Sequence, residues 1–70
     1  MIEKTVYIFQ SSGGKLAMLN YSMASGRWLI DVKDRFGDVE VSVFQTSRKT
    51  LDGGIQCLKE HWPDEEWSEY

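Results

Sequence analysis

Residues 39–62, VEVSVFQTSRKTLDGGIQCLKEHW, change their hydrophobic period partway along, and that change decides the fold. Val39, Val41 and Val43 alternate with Glu40 and Ser42 ahead of Phe44, the period of two that sends successive side chains to opposite faces of a strand. Beyond Phe44 the period lengthens. Leu51, Ile55, Leu58 and Trp62 fall at i, i+4, i+7 and i+11, a stripe down one side of an amphipathic helix, with Lys59 and Glu60 directed elsewhere. Thr46 or Ser47 is expected to supply the N-cap oxygen, and Pro63 disfavours helical backbone at Trp62 and so ends the segment.

Upstream, residues 5–10 (TVYIFQ) are rich in β-branched and aromatic side chains and stop at a Ser/Gly cluster, which reads as a strand. Residues 15–21 return. Ser25-Gly26 marks a turn, residues 28–32 a third strand, residues 36–38 another turn and residues 39–44 the fourth strand. Connections this short suit antiparallel neighbours, because a parallel pair needs a crossover of about a dozen residues or more. The expected fold is α+β: a three- to four-stranded antiparallel β-meander with one C-terminal helix on one face, spanning residues 1–62, followed by an acidic-aromatic tail over residues 63–70.

Residues 11–15, SSGGK, contain the parts of a phosphate loop. A Walker loop needs two glycines four residues apart, then Lys and Ser/Thr, between a strand and a helix whose N-terminus faces the anion. Here the spacing differs and a strand follows, so the stretch reads as a hairpin turn with Gly13 or Gly14 at positive φ.

A chain of 70 residues has room for one small core, and 41% apolar residues with a net charge of −3 describe a folded rather than a disordered chain. Residues 1–61 hold eight bases against seven acids, whereas residues 62–70 hold four acids and no base. Cys57 is the only cysteine, which excludes an internal disulfide and a four-thiolate zinc site. The opening MIEKTVYIFQ lacks the pattern of a signal peptide, and no apolar run is long enough for a membrane span. A cytoplasmic protein without cofactor, metal or membrane partner is expected.

Cys57 and His61 stand four apart on the helix, but nothing supplies an orienting third group or oxyanion donors, so packing is expected of Cys57 and an enzyme is not. Gly53-Gly54 costs helix stability, which close approach to the sheet, under Trp28, would offset. Arg48 and Lys49 are placed in the first helical turn, where the dipole disfavours cations. They are candidates for contacting an acidic partner. Val6, Ile8, Trp28, Ile30, Val32, Val39, Val41 and Val43 are assigned to the helix side. That sends Tyr7, Phe9, Leu29 and Phe44 to the other face, with Leu19 and Tyr21 beside them, as an uncovered aromatic patch. In the tail, Trp67 and Tyr70 are candidate anchors, either for a partner or for folding back on the chain's own sheet or on Arg48 and Lys49.

The expected function is therefore a protein-interaction module, an inhibitor or accessory factor, whose partner is another protein or a second copy of itself. Its candidate binding residues are Tyr7, Phe9, Tyr21, Phe44, Arg48, Lys49, Trp67 and Tyr70. The alternative is nucleic-acid binding. In element order alone, over residues 5–62, the chain resembles the arm-binding domain of phage integrases and the ethylene-response-factor domain of plants, which implies a sheet in the major groove; separately from that likeness, Lys15, Arg27, Lys33, Arg35, Arg48 and Lys49 are the bases available to contact phosphate. An acidic composition without a basic cluster weighs against that alternative.

Overall fold

In the computed structural model, which describes residues 4–70, the chain runs β1 (Val6–Ser11), β2 (Leu16–Ser22), β3 (Arg27–Phe36), β4 (Val39–Arg48), α1 (Leu51–His61) and β5 (Trp67–Glu69). The start of the expected domain at residues 1–3 lies outside the described residues. All neighbours in the sheet are antiparallel, in the order β4-β3-β2-β1-β5, with the single helix after the meander. This is the α+β fold that the change of period predicts. Gly14, Gly26 and Gly37 take positive φ in the three hairpin turns, which answers the choice between Gly13 and Gly14.

Two boundaries move. β4 continues to Arg48, four residues past Phe44, so Thr46 and Ser47 are strand residues and the helix is capped by Thr50, whose Oγ1 accepts from Gly53 N at 2.9 Å. Arg48 and Lys49 consequently precede the helix, and the first turn carries Asp52, the sign that the dipole favours. The segment expected as a tail also has a place. After a turn in which Glu65 N donates to Trp62 O, residues 67–69 pair with β1 as an edge strand, away from Arg48 on the opposite edge.

The register reverses part of the expected face assignment. Trp28, Ile30 and Val32 do face the helix. Their cross-strand partners Tyr21, Leu19 and Ala17 must then do so too, and Tyr7 and Phe9 follow as partners of Leu19 and Ala17. Phe44 pairs with Val32 and joins them, because a β-bulge leaves Val43 unpaired and shifts the parity of β4. Phe9, Ala17, Leu19, Trp28, Ile30 and Val32 are buried with Cys57 and Leu58, and Tyr7, Tyr21, Phe44, Trp62 and Trp67 pack around them. The aromatic rings thus build the core beside the helix, and Val6 and Ile8 lie on the other face. Alternation separates two sets of side chains per strand; only the register with Ile30 decides which set goes inward.

Gly54 explains how closely the helix approaches. A Cβ there would stand 3.0 Å from Leu19 Cδ2 and 3.2 Å from Ile30 Cδ1, so the helix crosses the sheet over these two side chains rather than over Trp28. Trp28 instead meets the rings of Tyr7 and Tyr21 at 5.8 and 5.4 Å.

Candidate interaction face

The helix covers one face of the sheet. By register the opposite face carries Val6, Ile8 and Gln10 from β1, Leu16, Met18 and Asn20 from β2, and Leu29, Asp31 and Lys33 from β3. Leu16 is 38% exposed, Val6 and Met18 are each 41% exposed and Leu29 is 47% exposed, so aliphatic carbon meets water across three adjacent strands. A shallow depression is lined by Ile8, Leu16, Met18, Asp31, Lys33 and Glu40, and a second, lined by Asn20, Leu29 and Gln45, shares Asp31 as its wall. The Asp31 carboxylate accepts from Ser42 Oγ at 2.9 Å and from Gln45 Nε2 at 3.5 Å, which fixes it in the middle of the face.

The candidate binding residues read from the sequence do not gather into one site. Tyr7, Phe9, Tyr21 and Phe44 are on the helix side and belong to the core or its margin. The Arg48 guanidinium donates to Thr46 Oγ1 at 2.8 Å, Ser47 O at 2.7 Å and Cys57 Sγ at 3.3 Å, tying β4 to the helix; Lys49 is exposed in the bend that follows. Trp67 packs 5.8 Å from Trp62. Of the candidate aromatic residues only Tyr70 is widely exposed, at 79%, and its backbone N–H donates to Ile8 O at the β1 rim. What sequence reading missed is the aliphatic set of β1 and β2. The available signal was Ala17 between Leu16 and Met18, a small residue that is fully buried, so that its strand neighbours point away from the core.

SSGGK is a turn, and it does hold an anion, one belonging to its own chain. The Glu65 carboxylate accepts from Ser11 Oγ at 2.6 Å, Gly13 N at 3.2 Å and Lys15 Nζ at 2.6 Å. Ser12 N donates to Glu66 O and Glu66 N to Ser12 Oγ, so the turn and the approach to β5 are laced from both sides. The Lys15 ammonium and the Ser11 hydroxyl hold the Glu65 carboxyl below its ordinary value of 4.5. A Cβ on Gly13 would collide with that carboxylate, so Glu65 would have to shift within the cradle to admit a side chain there.

Cys57 and His61 do not form a pair with shared chemistry: Cys57 is buried, and the exposed imidazole of His61 stacks on Phe44 at 4.3 Å. Among the described residues no group of three or more His, Cys, Asp or Glu side chains converges as a metal site, and no helix is long and apolar enough to cross a membrane. No known protein family, curated protein or solved structure matches this chain.

Proposed function

We propose that this protein is an interaction module that acts by binding another polypeptide through the open face of its sheet. The observation that carries this reading is the exposed set Val6, Leu16 and Met18, joined through Ile8, with Leu29 diagonal to Met18, on the side that the helix leaves bare. Isolated exposed apolar side chains need no explanation, whereas a contiguous group rimmed by polar residues favours association. Gln10, Lys33 and Gln45 provide such a polar border. A nucleic-acid partner finds less support: Asp31 occupies the centre of the face, Lys15 is engaged by Glu65, and Arg27 Nε donates to Ser47 Oγ at 3.0 Å. A cytoplasmic inhibitor or accessory factor is the role that this reading suggests.

Site-specific photo-crosslinking in the native host tests it. A photoreactive residue at Met18 should trap a protein partner, and one at Lys59 on the helix should not. Equal yields from the two positions, or none from Met18, would reject the open face as the working surface.

A further inference from the structure

We propose that the open face pairs with the same face of a second copy, about a two-fold axis running across the strands at the level of Ala17 and Val32. This rests on the open-face reading and names its partner. The ground is the order of side chains on the face. Register places Ile8, Met18, Asp31 and Gln45 in one row and Gln10, Leu16, Lys33 and Ser42 in the next row of that face. The row between them, Phe9, Ala17, Val32 and Phe44, points to the helix.

An axis through that intermediate row lays each of these two rows on the other row of the second copy, and brings Leu29, from the third row of the face, to Arg35 of that copy. Met18 then meets Leu16 and Asp31 meets Lys33, each twice by symmetry. Among the described residues neither Asp31 nor Lys33 has an ion-pair partner in its own chain, while Ser42 and Gln45 hold the Asp31 carboxylate in place. Sheets packed face to face lie about 10 Å apart with strands aligned to within about 30°, a gap that a lysine stem and a facing aspartate span together. An in-plane axis along the strands between β2 and β3 would instead set Asp31 on Met18 and Lys33 on Leu16. That strips water from four charges against aliphatic carbon without a compensating partner. Between these two axes the charge order selects the first.

Sedimentation of the full chain over a wide concentration range tests the pairing. The wild-type chain is expected to dimerise reversibly. Asp31→Lys and Lys33→Asp should each weaken the dimer by about tenfold or more, because every facing charge pair becomes like-signed. Mixing the two single variants, or combining both changes in one chain, makes every facing pair opposite again and should restore association, which loss of folding cannot mimic. As a check free of variants, a zero-length carbodiimide should join Asp31 of one wild-type copy to Lys33 of another. A monomer at every concentration, or a dimer indifferent to the charge exchange, overturns the pairing. In that event crosslinks from Met18 to a different protein leave the open-face reading standing, and none from Met18 ends both.

Discussion

A methyl group added at Gly54 would press on Leu19 and Ile30, two of the most deeply buried side chains, which would have to shift by a few tenths of an ångström to admit it. In an exposed helix the same change gains about 1 kcal/mol. Overpacking a core costs about 1–3 kcal/mol, so Gly54→Ala should lower stability by roughly 1 kcal/mol, seen as a lower urea midpoint at an unchanged slope. Thr50→Ala tests the corrected cap: loss of the hydroxyl that receives Gly53 N should cost about 1 kcal/mol, while Ser47→Ala, once its competitor for that role, leaves the helix end unaffected. The glycine pair was legible in the sequence as a close approach. The side chains beneath it were not, because helix periodicity fixes which residues face the sheet but not where along the strands the axis crosses.

At the scale of elements, β5 is held by a cradle that its own approach segment fills. Replacing Glu65 by Ala leaves the Lys15 ammonium only the longer contact with Asp34 at 3.9 Å and removes the acceptor of Ser11 Oγ and Gly13 N. Both charged side chains are about 15% exposed, so the loss lies between that of a surface pair and a buried one, on the order of 2 kcal/mol. Amide exchange should locate it. Ser12 and Tyr70, whose N–H groups donate to Glu66 O and Ile8 O, should exchange faster, with Leu19 and Ile30 less affected. The pH dependence has a defined sign. Because the folded state holds the Glu65 carboxyl below 4.5, its contribution is fully present above that value and is lost as pH falls below it through the depressed folded value. Tryptophan fluorescence from Trp62 and Trp67 should report release of β5 in that acid range, and Glu65→Gln should flatten the acid limb. Acids and aromatics after Pro63 gave no strand signal, since residues 67–69 are too few to show alternation; pairing to β1 and the cradle supply what periodicity does not.

For the molecule as a whole, the meander and its helix follow from local pattern, whereas the inner and outer faces follow from a register that local pattern leaves open. β1 alternates Val6 and Ile8 with Tyr7 and Phe9, two apolar sets of similar hydrophobicity, and the bulge at Val43 lets β4 direct both Phe44 and Val41 to one side. β1 and β4 by themselves therefore support two assignments, and the partners of Ile30 choose. The β3–β4 hairpin also runs on past Lys33, where β2 ends, which contributes to a radius of gyration of 12.0 Å against about 11 Å for a compact chain of this length. Phe36 and Val39, each 60% exposed on that projecting ribbon, should tolerate Phe36→Ser and Val39→Thr with changes in unfolding free energy of about 0.5 kcal/mol or less.

The sole sulfhydryl gives the molecule an internal stopwatch. Cys57 is shut between α1 and the sheet with the Arg48 guanidinium over its sulfur, so an alkylating reagent reaches it only when the lid lifts. The labelling rate of the native protein thus counts how often α1 opens, and a variant that loosens the lid, Gly54→Ala first among them, will react sooner than one altered on the far side of the sheet.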